Sequence, residues 1–118
     1  MTKAPVRYEC AVDVDAITAV DMHVHLEIDD CGHQSMPDDI MEASSKYFKA
    51  AERTPSIDSI AQTYRDAGMA AVVFTVDART QMQHEPNSID DLVAGCARNN
   101  DVLIPFGSVD PHLGQTAI

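Results

Sequence analysis

The chain has 118 residues, of which 45% are hydrophobic and 23% charged, and this length is enough for one domain with a real core. Only 8 lysines and arginines oppose 19 acidic residues, for a formal net charge of −11, which disfavours binding to nucleic acid or to an anionic membrane surface. Three cysteines without a Cys-x-x-Cys pair do not make a disulfide framework, and no apolar run approaches the roughly 18 residues of a spanning helix, so we expect a cytoplasmic protein.

The first predicted element is a strand over residues 17–26, and its second half alternates in character. Successive side chains of a strand point to opposite faces, so Asp21, His23, His25 and Glu27 are expected on one face. Residues i and i+2 lie roughly 6.5–7 Å apart, so both imidazoles can reach one metal ion about 2.0–2.1 Å from each nitrogen. The His-x-His pattern therefore predicts a pair of metal ligands.

A half-buried antiparallel strand with its polar face in water would show the same alternation. Two features of the sequence favour the metal interpretation. Ile17 and Ala19 make the start of the polar face apolar, so that it turns polar only at its carboxyl end. The later segments alternate between strand and helix, which indicates a parallel sheet, and parallel sheets carry active sites at the carboxyl ends of their strands.

Two helices are predicted next. Pro37 and two acidic residues after it indicate a helix over residues 36–52, which would be an insertion lying over the end of the strand. A second helix is predicted between Ser56, a suitable N-cap, and Gly68, a suitable C-cap, because apolar residues repeat between them at helical spacing.

The second half of the chain continues the alternation. Residues 69–76 and 102–109 are apolar runs typical of strands covered on both faces, and Ser88 can cap a helix between them. Residues 81–86 are expected to form a loop, and residues 114–118 the start of another helix. Right-handed crossovers would place the three strands side by side and parallel.

These segments resemble a known family. Residues 20–26 (Val-Asp-Met-His-Val-His-Leu) are similar to the opening of the amidohydrolase superfamily. Residues 71–77 and 104–112 resemble strands two and three of its amidohydrolase-related branch, which includes the aminocarboxymuconate-semialdehyde decarboxylase-like enzymes. The resemblance implies that residues 1–118 are a single partial domain of α/β class. This domain would be the N-terminal portion, about three βα units, of a metal-dependent (β/α)₈ TIM barrel.

The resemblance also implies a chemistry. Members of this family hold one or two divalent metals and act on small molecules, either by hydrolysis of an amide, lactone or ester bond or by non-oxidative decarboxylation. It carries His23 and His25 over as metal ligands, with zinc expected first and manganese second. The family's remaining ligands and its general base come from later strands. We therefore expect this chain to be inactive alone and to need a partner, or a second copy, that completes the barrel.

Further candidates follow the strand ends, where barrel enzymes place catalytic residues. Asp77, Asp110 and His112 occupy such positions, although the two aspartates are also typical of turns and loop caps. Asp21 is a candidate hydrogen-bond acceptor that orients a ligand histidine, and Glu27 is a candidate partner of a ligand or of the substrate.

Two alternatives compete with the amidohydrolase hypothesis. His23, His25, Cys31 and His33 are enough in number for a closed structural zinc site in a protein without catalytic activity. A metal phosphoesterase of the polymerase-and-histidinol-phosphatase type also opens with Asp-x-His-x-His. In that family a Ser-Asp-Gly usually follows, and residues 30–32 (Asp-Cys-Gly) match it by half.

Overall fold

The computed structural model describes residues 4–49 and 54–118. It has an α/β architecture built on a three-stranded parallel sheet with the strand order β1-β2-β3. The strands are β1 (Val20–His25), β2 (Ala70–Phe74) and β3 (Leu103–Phe106), all shorter than the predicted segments. The parallel sheet expected from the alternation of apolar runs and helices is confirmed.

In the part of the chain that the structure describes, four α-helices and one 3₁₀ helix connect or follow the strands: α1 (Asp38–Phe48), α2 (Ile57–Ala67), α3 (Arg79–Met82), α4 (Ile89–Arg98) and the 3₁₀ helix Pro111–Ala117. The predicted caps are confirmed. Ser56 Oγ accepts the backbone N–H of Ser59 at 3.2 Å. Gly68 ends α2 with φ +66°, a left-handed conformation that is open to glycine at little cost.

The core lies on one face of the sheet, between the strands and helices α2 and α4. The two helices pack so closely that a Cβ atom on Gly95 would lie 2.6 Å from the side chain of Ile57. The core residues are Leu26, Ile57, Ile60, Ala61, Ala71, Val73, Leu92, Cys96, Val102 and Leu103. This burial excludes water from the Cys96 thiol and raises its pKa to about 12, so the thiol is a neutral core group.

The opposite face of the sheet is partly open. Val20 is 38% exposed and Phe106 is 53% exposed. Phe74 pairs with His25 on one side and with Phe106 on the other, so these three residues form a row across the sheet near its carboxyl edge. Helices therefore cover one face, and aromatic and imidazole rings lie on the other.

Helix α1 differs from the prediction in what it buries. Ile40, Met41, Tyr47 and Phe48 form an apolar stripe at helical spacing, as a helix lying over the end of the strand would need. Only Met41 is buried, however, while Tyr47 is 80% exposed and Phe48 is 72% exposed. The two rings instead contact each other edge to face, with centroids 4.9 Å apart. Residues 50–52 of the predicted helix lie outside the described residues.

Two further segments depart from the sequence prediction. The single turn α3 extends into the predicted loop at 81–86, because Met82 and Gln83 donate their N–H groups to Ala78 and Arg79. The helix expected at 114–118 is a 3₁₀ segment that begins earlier, at Pro111, and Gly114 has a non-helical φ of +60° within it. Within the described ranges, no helix has both the length and the apolar character needed to cross a membrane.

Candidate metal site at the carboxyl end of the first strand

The two histidines of β1 lie side by side at the carboxyl end of the strand. Their rings stack with centroids 4.9 Å apart and an interplanar angle of 24°. The two Nε2 atoms are 2.9 Å apart, so in the metal-free site one nitrogen donates a proton and the other accepts it. Two ligands about 2.0–2.1 Å from one ion require a separation of roughly 3–3.4 Å, so a small ring movement would let both nitrogens bind the same cation.

The ring of Phe74 supports this pair from the neighbouring strand. Its centroid lies 5.1 Å from that of His23 and 4.8 Å from that of His25. The sequence analysis did not identify Phe74 as a site residue. The signal was available, because Phe74 lies near the carboxyl end of the second predicted strand and adjacent parallel strands end at the same edge of a sheet.

Asp21 does not share the face of the two histidines, contrary to the predicted alternation. The pairing register places Asp21 opposite Ala71 and Val24 opposite Val73, so three steps along β1 match two along β2. This bulge turns Asp21 toward helix α2, where its carboxylate accepts a hydrogen bond from the Tyr64 hydroxyl at 2.6 Å. Its other oxygen accepts the backbone N–H of His23 at 3.0 Å, so Asp21 contacts the main chain of His23 and not its ring.

Glu27 is hydrogen-bonded to a residue of the loop that follows β1. Its carboxylate accepts a hydrogen bond of 2.6 Å from the hydroxyl of Ser35, a residue that is only 2% exposed. The backbone N–H of Ser35 donates to the carbonyl of Glu27 at 2.8 Å. Within the described residues no hydrogen bond joins Glu27 to either imidazole.

Asp77, which follows β2, is held in an internal network. Arg79 binds both of its carboxylate oxygens at 2.9 Å, and this guanidinium lowers the pKa of Asp77 below its usual range. The backbone N–H of Asp77 donates to Ser108 Oγ at 2.9 Å, and Ser108 Oγ lies 3.0 Å from Thr75 Oγ1. These groups join the loops after β2 and β3.

Asp110 and His112 follow β3 in a similar arrangement. Asp110 is 1% exposed, and its carboxylate accepts the backbone N–H groups of Thr80 at 2.7 Å and of His112 at 2.9 Å. The hydrogen bond from Thr80 is the main cause of the lowered pKa of Asp110. The ring of His112 is exposed and makes no hydrogen bond within the described part of the chain. Asp110 therefore caps a loop, a structural role that aspartates commonly have, whereas Asp77 is held by its ion pair with Arg79.

Cys31 and His33 do not join the histidines of β1. Cys31 lies with Asp29 and Asp91, whose ligand-type atoms are all within 4.8 Å of one another, and this is the only group of three such residues within the described residues. Asp29 already accepts three backbone N–H groups, from Cys31, His33 and Ser88. The Asp91 carboxylate raises the pKa of the Cys31 thiol, which favours the protonated form that binds metals poorly.

His33 instead forms a reciprocal pair with His84. The two rings stack with centroids 4.8 Å apart and an interplanar angle of 13°. His33 Nε2 donates to the carbonyl of Glu85 at 2.6 Å, and His84 Nε2 donates to the carbonyl of Gln34 at 2.7 Å. The pair joins the loop after β1 to the loop before α4, so the four proposed structural zinc ligands lie in three different places.

A cavity adjoins the β1 histidines on the side of helix α2. Its volume is about 280 Å³, close to the lower end of the roughly 300–1,000 Å³ that is typical of small-molecule sites. The lining residues are Val24, His25, Pro55, Ile60, Thr63 and Tyr64.

Comparison of the chain with protein family models, with curated proteins and with solved structures gave no match. The chain's own geometry brings the rings of His23, His25 and Phe74 together at the carboxyl edge of the sheet.

Proposed function

We propose that His23 and His25 bind a divalent metal ion, zinc first and manganese second, in an amidohydrolase-type enzyme. The observation that carries this proposal is the 2.9 Å separation of the two Nε2 atoms at the carboxyl end of β1. Two exposed or half-buried imidazoles whose nitrogens face each other have no evident structural task there. Zinc is compatible with imidazole ligands, and manganese is a second candidate of lower affinity.

The arrangement of the helices supports a barrel as the complete fold. Helices α2 and α4 pack on the same face of the sheet, as the ion pair between Asp58 and Arg98 at 3.2 Å illustrates. The strands follow one another in sequence order, without the reversal of order that marks a doubly wound sheet. In a (β/α)₈ barrel all helices lie outside and the strand order is sequential. The open face with Phe106 and the histidines would then face the barrel interior.

The chain's own residues would hold and shield the metal. Neutral imidazoles of His23 and His25 would be the ligands, and the ring of Phe74 would exclude water from one side of them. A bound ion would act as a Lewis acid that activates water for hydrolysis or polarises a carboxylated substrate for decarboxylation.

Two imidazoles are an incomplete ligand set. Within the described residues, no third histidine, cysteine, aspartate or glutamate forms a group with them at ligand distance. A catalytic zinc ion normally has three protein ligands. We therefore expect weak binding by this chain alone and no turnover, with the further ligands and the general base supplied by later strands of the proposed barrel.

The experiment that tests the proposal is a metal titration of the chain by calorimetry. Wild type should bind one ion per chain, and Cu²⁺ should bind more tightly than Zn²⁺ because imidazole sites follow the Irving–Williams order. His23→Ala and His25→Ala should each abolish specific binding. His112→Ala, which also removes one imidazole, should bind like wild type.

Cys31→Ser separates this proposal from the structural zinc alternative. The conservative substitution removes the only thiol of the alternative ligand set and should leave the affinity unchanged if the two β1 histidines are the ligands. Loss of metal in Cys31→Ser, or retention of binding in both histidine variants, would contradict the proposal. Catalysis itself requires a chain in which further βα units follow these residues. In such a chain either histidine substitution should remove metal and turnover together.

A further inference from the structure

The bulge in β1 leaves backbone groups that need partners outside the sheet. Between Asp21 and Val24 the strand has one residue more than β2 opposite it. An extra residue of this kind interrupts the ladder of hydrogen bonds and bends the strand locally. An N–H group that leaves the ladder can bond to water or to a nearby side chain, and a side-chain acceptor also fixes where the bulged residue lies.

Asp21 provides that acceptor. Its Oδ1 atom accepts the N–H of His23 at 3.0 Å, in the local side-chain-to-backbone pattern that is common for aspartate. Its Oδ2 atom accepts the hydroxyl of Tyr64 at 2.6 Å. Because both oxygens have partners on different elements, the carboxylate is fixed between β1 and helix α2.

Tyr64 is itself well anchored. It packs against the hydrophobic core, and α2 has a cap at each end, in Ser56 and Gly68. Burial is the main cause that raises the pKa of Tyr64 to about 12, so the phenol keeps its proton and donates it in the hydrogen bond to Asp21.

We propose that Tyr64 is a positioning residue of the metal site, which acts through Asp21 to hold the bulged backbone of His23 and so keeps the His23 ring in place beside His25. This inference rests on the function proposed above, since it concerns the same two ligands. Tyr64 touches neither imidazole through a hydrogen bond within the described residues. Its effect on the site passes through the backbone of His23.

The test compares Tyr64→Phe with Tyr47→Phe. Tyr64→Phe removes one hydroxyl and keeps the ring in the core, whereas Tyr47 is 80% exposed and serves as the matched control. The readouts are the Zn²⁺ affinity by competition with a chromophoric chelator and the nuclear Overhauser effect between ring protons of His23 and His25 in the metal-free chain. Thermal unfolding of each variant shows whether the variant is folded at the temperature of the binding measurement, so that a lower affinity is not caused by unfolding.

Tyr64→Phe should weaken Zn²⁺ binding by about tenfold, the lower end of the roughly 10–100-fold loss that follows removal of a group supporting a metal ligand. It should also weaken the Overhauser effect, and Tyr47→Phe should change neither. Asp21→Ala should weaken Zn²⁺ binding at least as much as Tyr64→Phe does. The double variant Asp21→Ala/Tyr64→Phe should bind Zn²⁺ as tightly as Asp21→Ala alone, because Tyr64 acts on the site through Asp21.

The outcomes separate this inference from the proposed function. If wild type binds Zn²⁺ and Tyr64→Phe binds it equally well with an unchanged Overhauser effect, the positioning role is refuted and the metal site stands. If wild type binds no metal, the proposed function fails. In that case the Overhauser effect alone tests the role of Tyr64. If the effect persists in Tyr64→Phe, Tyr64 does not position the two rings; if it is lost, the positioning role is supported.

Discussion

The two faces of the sheet differ in how completely their side chains are used. On the face toward α2 and α4, Ala71, Val73 and Leu103 are fully buried and pack against the helices. On the other face, His23 is exposed, and among the described residues its ring has a hydrogen-bond partner only in His25. The contacts that stabilise the fold therefore lie mainly on the helix-covered face, whereas the side chains available to bind a ligand lie on the open face. Substitutions on the two faces should therefore change different measured quantities.

The largest effect on stability is expected from Gly95→Ala, which tests the helix-covered face. The new Cβ atom would lie 2.6 Å from two side-chain carbons of Ile57, a residue that is 3% exposed and has little room to move. Overpacking costs about 1–3 kcal/mol, and the better helix propensity of alanine returns about 1 kcal/mol. We expect a net loss of up to about 2 kcal/mol in the free energy of unfolding, measured with urea.

Gly107→Ala is the matched control for this substitution. A Cβ atom there would meet only one carbon of Ile89, at an ordinary contact distance of 3.7 Å. Its free energy of unfolding should stay close to that of wild type. Equal stability of the two alanine variants would show that α2 and α4 are not tightly packed.

A smaller change in the free energy of unfolding is expected when pH falls, because Asp58 on α2 contacts the end of α4. Asn99 Nδ2 donates to Asp58 at 2.7 Å, and this hydrogen bond, with the ion pair to Arg98, lowers the pKa of Asp58. A carboxyl with a lowered folded pKa stabilises the protein above its unfolded pKa of about 3.9, and this contribution is lost as pH falls through the folded pKa.

Asp58→Asn should therefore flatten the fall of the free energy of unfolding between about pH 5 and pH 2, measured by urea titrations at several pH values. The side chain of Asp58 is 60% exposed, so the difference should not exceed about 1 kcal/mol. Parallel stability curves for the variant and wild type would argue that this carboxylate contributes nothing to holding α2 against α4.

The smallest effect on stability is expected from the histidines of the open face. His23→Ala and His25→Ala remove a pair of rings that pack mainly on each other and on Phe74. Their free energies of unfolding should lie within about 0.5 kcal/mol of wild type, the usual range for surface substitutions. A loss larger than 2 kcal/mol in either variant would place these rings among the residues that stabilise the fold.

Much of the architecture follows from local sequence signals. Ser56, Gly68 and Ser88 mark helix boundaries because their side chains or conformations satisfy specific backbone requirements, and they occupy those positions. The buried strands follow from uninterrupted apolar runs, which only a covered sheet can accommodate. The side-by-side placement of His23 and His25 follows from a spacing of two residues in a strand.

Other features depend on contacts that no local pattern reveals. The β1 bulge adds one residue between Asp21 and Val24 without any glycine or proline to mark it, so strict alternation placed Asp21 on the wrong face. The stripe of α1 has helical spacing, but periodicity does not say whether a neighbouring surface exists to cover Tyr47. The structural role of Asp110 depends on a donor in a distant loop, the backbone N–H of Thr80.

The reciprocal pair of His33 and His84 has a consequence for how the loops above the sheet move. Each ring donates to a carbonyl beside the other ring, so separating one bond pulls directly on the second. We therefore expect the two hydrogen bonds to break together. The loop after β1 and the loop before α4 should consequently exchange their amide hydrogens with deuterium together, as one cooperative unit distant in sequence but joined in space.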